Sequence, residues 1–462
     1  MNMHDSDRIA ELLQREGYAQ ASGPEAADVV LLNTCSVREK AEQKLRSELG
    51  RLGKLKRYHP ELVLAVAGCV GQQEGERLLK RVPDLDLVIG PDRIAELPEL
   101  LRAAGGGAAP TARTGFDLDE PRFLSAQGPS ASNAAATYVT VMKGCDERCS
   151  FCIVPHTRGP ERYRPSTEIV EEIQRLVEAG VREVTLLGQT VNSYVDPLGQ
   201  LPRAPGVGLS PWRHTKPLQA EADESEFAAL LRRIVAATPE LLRLRYTSPH
   251  PRHLTRSLIE AHRDLPTLVQ HLHLPVQSGS DRVLRRMIRR YSVAEYLERV
   301  AALAEAVPGL SLSTDIIVGF PGETDDDFGK TLELVQQVGY VGLFGFKYSP
   351  RPDTPALELG DDVAEAEKSE RLARLFQLTD TLRQAHLDSL VGTLQEVLVE
   401  GESRAGVLTG RSVRNEIVHF SGALEQVAQV VPVRIRRAFK NSLDGEQGDL
   451  GQKARRSLPL VG

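Results

Sequence analysis

Cys145, Cys149 and Cys152 fall in the stretch GCDERCSFC, directly after the apolar run TYVTVMK. Three thiols at Cys-x3-Cys-x2-Cys spacing must share one loop. Any fold this chain adopts therefore has to present that loop where an apolar strand ends. The only other cysteines are Cys35 and Cys69. An odd total of five, three of them clustered, argues against a disulfide framework and for metal binding or catalysis.

Three thiolates at this spacing can cap three corners of an iron–sulfur cube and leave one iron without a protein ligand. An open iron is a place for a substrate or cofactor to bind, as an open position is on catalytic zinc. The competing reading is a zinc knuckle with His156 as fourth ligand, although zinc ligands usually come as two separated pairs.

Around this loop the chain alternates apolar runs with amphipathic segments. ADVVLLNTC and ELVLAVAGC read as buried parallel strands ending at Cys35 and Cys69, and LDLVIG as a third, with helices between. The first helix spans Ile9, Leu12 and Leu13, with Asp5 or Ser6 as its cap and Gly17 as its stop. This predicts a doubly wound α/β domain over 1–110. A Gly/Ala/Pro/Ser-rich linker over 111–130 follows. From 131 to 383, strand–helix units repeat without a GxGxxG fingerprint, which predicts a partial (β/α) barrel. A Pro/Gly-interrupted insert over 195–225 interrupts it as a loop without a core of its own. Short β-rich runs over 384–447 predict a small β-barrel, followed by a tail, 448–462. A length of 462 residues suits about three domains at ~150 residues each.

No run of ~18 apolar residues predicts a membrane span, and no signal peptide is evident, so the expected compartment is the cytoplasm. The net charge of −6 excludes a globally basic nucleic-acid binder, so any RNA surface must be local.

The Cys145–Cys152 spacing resembles the signature of the radical S-adenosylmethionine enzymes, with Phe151 as the aromatic residue common there. LLNTCSVREKAEQK, AGCVGQ, IVPHTRGPERYRP, LLGQTVNSY, HLHLPVQSGSDRVLRRMIRRYS, DIIVGFPGETDDDF and YSPRPDTPA follow in order. Together these resemble the methylthiotransferases, over essentially the whole chain and nearest the branch acting on isopentenylated adenosine in tRNA. Thr190 stands where that branch usually has Asn. The resemblance implies two 4Fe–4S clusters and S-adenosylmethionine. One cluster on Cys145, Cys149 and Cys152 would cleave the cofactor to a 5′-deoxyadenosyl radical. An auxiliary cluster on Cys35, Cys69 and a third cysteine would deliver sulfur, and a second S-adenosylmethionine the methyl group. The alternative for Cys35 and Cys69 is two buried free thiols.

The family's third cysteine belongs to a strand–GCQMN–helix motif of which this chain shows only the Met-Asn, at Met1-Asn2. The expectation is a gene model starting at an internal Met, and a native protein longer by one strand, probably central in the sheet. The alternative is a short chain with a labile, two-ligand cluster.

For the cofactor pocket, Gly188, Gln189 and Asn192 follow one strand, and Asp315 lies on another leading to Gly319 and Gly322, whose lack of a side chain permits close backbone approach. His271 and His273 share a face, at least one of them for packing. DRVLRRMIRRYS reads as one helix with Val283, Leu284, Met287, Ile288 and Tyr291 inward. Its other face carries Arg282, Arg285, Arg286, Arg289 and Arg290, a phosphate-binding surface or simply a solvated one. The 384–447 region resembles the TRAM domain of RNA-modifying enzymes, with Arg434, Arg436, Arg437 and Lys440 on its last strand and Arg411 and Arg414 in a loop. These are RNA contacts or edge-strand charges.

The resulting expectation is a monomeric transferase that adds a methylthio group to carbon 2 of N(6)-dimethylallyladenosine in tRNA. An inert aromatic C–H bond calls for radical chemistry, because a positioned base cannot deprotonate it. The rival acceptors are threonylcarbamoyl-adenosine and a ribosomal protein. A noncatalytic RNA-binding metal scaffold is the rival of another class.

Overall fold

The computed structural model describes residues 2–36, 39–119, 121–126, 128–129, 133, 135–202 and 225–448. Most of the 195–225 insert and the tail beyond 448 lie outside these residues.

The N-terminal domain runs α1 (Asn2–Arg15), β1 (Val29–Asn33), α2 (Glu39–Tyr58), β2 (Val63–Ala67), α3 (Cys69–Glu74), α4 (Glu76–Arg81), β3 (Leu87–Ile89), α5 (Leu97–Gly105) and β4 (Thr111–Arg113). Its four strands pair in parallel in the order β1-β2-β3-β4. Alternation along β2 builds the two layers. Val63, Ala65 and Ala67 pack with Ile9, Leu97 and Leu101 on one face, while Leu64 and Val66 pack with Leu45, Leu49 and Leu52 on the other. Two expectations change here. Because α1 begins at Asn2, Asp5 lies inside its first turn rather than capping it. The 111–130 stretch is not a free linker: β4 joins the sheet, and Ala126 is buried in the next domain's core.

The central domain runs β5 (Ala136–Thr140), β6 (Met142–Lys143), α6 (Val154–Arg158), β7 (Arg162–Tyr163), α7 (Ser166–Glu178), β8 (Glu183–Leu187), α8 (Glu226–Ala237), β9 (Arg243–Tyr246), α9 (Arg256–Asp264), β10 (His271–His273), α10 (Asp281–Arg286), α11 (Val293–Ala306), β11 (Ser311–Val318), α12 (Asp325–Val338) and β12 (Gly342–Lys347). Two parallel three-stranded sheets, β5-β8-β9 and β10-β11-β12, are joined where Leu244 bridges to Leu268. The result is the expected partial barrel, whose strand residues Val139, Val184, Leu186, Leu244, Leu272 and Ile316 share one core with Ile173, Leu231 and Leu258 of the surrounding helices.

The expected 281–292 helix is half that length. α10 ends at Arg286, and Ile288 and Arg290 adopt left-handed φ of 57° and 56°, which turns the chain out of the helix. A separate α11 then starts at a capping box of Ser292 and Glu295.

α13 (Glu365–Ser389) is 25 residues long, about 37 Å, so the expected boundary at 384 falls inside it. Its end packs Leu387 into the core of a closed barrel made by β13 (Leu394–Arg404), β14 (Val407–Ser412), β15 (Ile417–Ser421), β16 (Val430–Ala438) and β17 (Leu443–Gln447). This barrel sits against the amino ends of the central strands. Arg243, first in β9, donates to the carbonyls of Arg411, Ser412 and Glu396, and Ser311, first in β11, donates to that of Arg414. Among the described residues no helix is long and apolar enough to cross a membrane.

Candidate active site

The three-cysteine loop is held between β6 and β7, which pair antiparallel. Gly144 opens it at φ 79°, and a Cβ there would lie 1.9 Å from the Pro160 carbonyl oxygen, so only glycine fits. The Cys145 amide donates to the Gly159 carbonyl at 3.1 Å, and the Ser150 amide to that of Met287 at 3.0 Å. Asp146 and Glu161 exchange backbone-to-carboxylate bonds across the loop, 3.3 and 3.1 Å long.

Cys145 and Cys149 are buried and Cys152 half-buried. Thr190 Oγ1 lies 2.9 Å from Cys145 Sγ, and Arg289 Nη1 donates to Cys149 Sγ at 3.3 Å. Burial pushes the Cys145 thiol well above its usual range, with Glu161 adding to the effect. Burial, then the neighbouring Cys149, pushes Cys152 up to about 12. Thiols so disposed ionise when a metal takes them as ligands, since coordination deprotonates a thiol outright. Three thiols on one loop, with an Arg289 N–H directed at Cys149 and the Thr190 hydroxyl against Cys145, fit an iron–sulfur cube held from one side.

Cys152 and Phe151 open onto a cavity of about 710 Å3, shared with Gln277, Asp315, Phe344 and Tyr348. Phe151 packs edge-on against Phe320, 6.5 Å between centroids. Asp315 lies in this cavity, 3.4 Å from His273 Nε2. Gln277, which sequence reasoning passed over, holds a left-handed φ of 76° on its wall. A strained polar residue within QSGS carries no sequence signal of its own. Lys347, Lys368 and Arg351 also line the cavity.

The other expected pocket residues do not themselves line the cavity. Gln189 Oε1 accepts from the Gly144 amide, and a Cβ on Gly188 would come within 2.6 Å of Met142 Cγ. Asn192 is bonded to both backbone groups of His250. Gly319 makes room for the Lys368 side chain, and Gly322 for Arg286. His271 and His273 both meet Ser313 Oγ, at 3.0 and 2.9 Å, and His273 alone reaches Asp315.

The arginine face is broken up by the left-handed turn. Arg289 is buried and serves Cys149, which overturns its expected place on an RNA surface. Arg282 is tied to Asp327, and Arg286 donates to the Pro321 carbonyl, while Arg285 and Arg290 are exposed. On β16, Arg434, Arg436 and Arg437 are exposed, with Arg436 paired to Glu446 and Arg437 over the Phe439 ring. Lys440 pairs with Asp380, and Arg411 with Glu400.

In the N-terminal domain Asn33 pairs with Ala67, so Cys35 and Cys69 both lie two residues past the ends of neighbouring strands. Thr34 and Val70 close these loops on each other through the bond from the Val70 amide to the Thr34 carbonyl. This end of the sheet faces α6. Arg158 Nε donates to Cys69 Sγ at 3.3 Å and Arg158 Nη2 to Asp5 Oδ2 at 2.6 Å. The five-residue α6, about 8 Å long, thus begins at one cysteine site and ends at the other.

Family models match in three parts: an uncharacterized protein family, UPF0004, over residues 1–90, the Radical SAM superfamily over 139–335, and the TRAM domain over 388–447. The tRNA-2-methylthio-N(6)-dimethylallyladenosine synthase of Sorangium cellulosum is 61% identical over 100% of this chain and 97% of its own length. The chain belongs to this synthase family. The synthases of Acidithiobacillus ferrooxidans and Geobacter metallireducens are 46% and 47% identical, each over 96% of this chain and 94% and 96% of their own lengths. Membership in the synthase family brings with it the 4Fe–4S and S-adenosylmethionine chemistry that the three-thiol loop fits.

Proposed function

We propose that this chain replaces the hydrogen on carbon 2 of N(6)-dimethylallyladenosine, next to the anticodon of tRNA, with a methylthio group. The observation that carries the reading is the Cys145–Cys149–Cys152 loop, opening through Cys152 onto the barrel cavity, in a chain so close to the synthases over its full length. A 4Fe–4S cluster held by these thiols, together with S-adenosylmethionine, supplies the radical chemistry that an unactivated aromatic C–H bond requires.

The chain's own residues do the positioning. Phe151 and Phe320 wall the cluster loop from water, and Asp315 and Gln277 offer polar groups to the cofactor inside a mostly apolar cavity. Arg289 holds Cys149, and Thr190 holds Cys145. Cys35 and Cys69 provide thiolates for the auxiliary sulfur-delivering cluster, with Arg158 beside Cys69. tRNA is held by phosphate contacts from Arg285 near the cavity end of the barrel, and from Arg434 and Arg437 on the TRAM strand. The enzyme acts as a cytoplasmic monomer.

The test is nucleoside mass spectrometry on tRNA from a deletion strain. Loss of the methylthio group from dimethylallyladenosine, restored by this gene, is the expected result. An intact methylthio-dimethylallyladenosine pool, with another modification missing, would contradict the acceptor.

A further inference from the structure

Glu147 lies inside the cluster loop, between Cys145 and Cys149, yet it belongs to a different constellation. It meets His250 and His253, which flank the short turn after β9, and one ligand atom from each of the three lies within 4.8 Å of the others. The closest approach is His253 Nε2 to Glu147 Oε1, at 3.0 Å.

Two atoms here are unusual. Nε2 of His250 and Oε2 of Glu147 are buried, in residues only 5% and 7% exposed, and neither has a hydrogen-bond partner among the described protein atoms. Leaving such groups without a partner is costly, so sites of this kind are normally completed. The other face of His250 is already used: Nδ1 accepts the Arg252 amide at 3.2 Å. That bond leaves the ring proton on Nε2, so coordination at Nε2 moves the proton to Nδ1 and exchanges the Arg252 bond for the metal. Tyr291 packs against the same ring in a T-shaped arrangement, 5.6 Å between centroids, and holds its plane.

We infer that Glu147, His250 and His253 form a divalent transition-metal site, of zinc class, that clasps the cluster loop to the turn after β9. Two imidazole nitrogens and one carboxylate oxygen are a donor set zinc accepts, with water completing a tetrahedron. Zinc–ligand bonds of ~2.0–2.2 Å place neighbouring ligand atoms ~3.3–3.5 Å apart, so closing from 4.8 Å needs only small side-chain rotations. The Arg252 guanidinium, 3.6 Å from Glu147 Oε1, would stay on the outer lone pair of that oxygen as a neighbour of the ligand. Asn192 holds the backbone of His250 from the other side, so the clasp ties three loops at the strand ends together.

The test uses the full-length protein carrying its iron, prepared anaerobically, incubated with Zn2+ and then desalted. Elemental analysis should find one zinc per chain with the iron content unchanged. His253→Ala and His250→Ala should each weaken zinc retention by at least about tenfold while leaving iron alone. His253 is only half-buried, so its variant keeps the test valid even if His250→Ala fails to fold. X-ray absorption at the zinc edge should give a nitrogen and oxygen shell. No retained zinc, meaning that His253 and Arg252 complete the Glu147 network by themselves, would overturn the site. Zinc retained equally by both variants, or zinc with sulfur ligands and lost iron, would overturn it as well.

Discussion

Arg158 stands between two domains with its guanidinium on Cys69 Sγ at 3.3 Å and on Asp5 Oδ2 at 2.6 Å. Both ends of this arrangement are buried, and the Arg158 charge holds the Asp5 carboxyl well below the usual carboxylate range against the opposing effect of burial. Removing the guanidinium would leave Asp5 charged and buried with only His4 beside it, 3.5 Å away, while a methionine–leucine pair would remove both charges. Arg158→Met should therefore destabilise the protein by about 3–5 kcal/mol, and the double variant Arg158→Met/Asp5→Leu by much less. Urea unfolding followed by protease sensitivity of residues 2–113 measures this. Equal loss in the single and double variants would contradict the ion-pair account.

Arg289 is the counterpart on the other cysteine site, donating to Cys149 Sγ and to the Pro275 carbonyl. N–H donors to ligand sulfur raise a cluster's reduction potential. Arg289→Met should make the potential more negative, as read by an EPR-monitored redox titration. It should leave the salt dependence of tRNA binding unchanged, because the residue is only 5% exposed. A flatter salt dependence would return Arg289 to the RNA surface.

On the TRAM strand the exposed arginines make a different prediction. Each phosphate contact contributes a slope of about 0.7–0.9 in log K against log salt. Replacing Arg434 and Arg437 together with alanine should flatten the slope by about 1–2. Arg436→Ala should change it less, since that side chain is held by Glu446. Fluorescence anisotropy over a salt series distinguishes these outcomes.

Glu323 gives a pH dependence. Burial pushes its carboxyl up to about 7 from an ordinary value of 4.5, with the Gly319 amide and Arg371 opposing that rise. Between these values the folded chain holds a proton that the unfolded chain has released. This group's effect is therefore a stability that falls as pH rises from 4.5 to about 7 and is level above that. Glu323→Gln should flatten that part of a melting-temperature profile. An unchanged profile would show that the carboxylate is ionised throughout.

Most of the architecture was legible because it rests on periodicity. The runs ending at Cys35, Cys69 and Cys145 became β1, β2 and β5–β6, and the turn-punctuated C-terminal runs became a closed barrel. What escaped was decided by tertiary contacts. Arg289 reads as the fourth basic residue of a helical face, but left-handed turns at Ile288 and Arg290 carry it inward to a cysteine. Nothing local marks such turns at non-glycine residues. The start of α11 is marked locally, by the capping box of Ser292 and Glu295. Gly188 and Gln189 follow the end of β8, as their sequence position implies, yet they face the cysteine loop and Met142, a distinction only packing makes.

Initiation of methylthio transfer to isopentenylated tRNA by the Cys145, Cys149 and Cys152 loop can be read from anaerobic turnover of the iron-loaded, reduced protein with S-adenosylmethionine and dimethylallyladenosine-containing tRNA. The wild-type chain should form 5′-deoxyadenosine and methylthio-dimethylallyladenosine together, and Cys149→Ala should form neither while still binding the tRNA. If the wild-type chain forms no deoxyadenosine, or if Cys149→Ala forms it at the wild-type rate, the account is wrong.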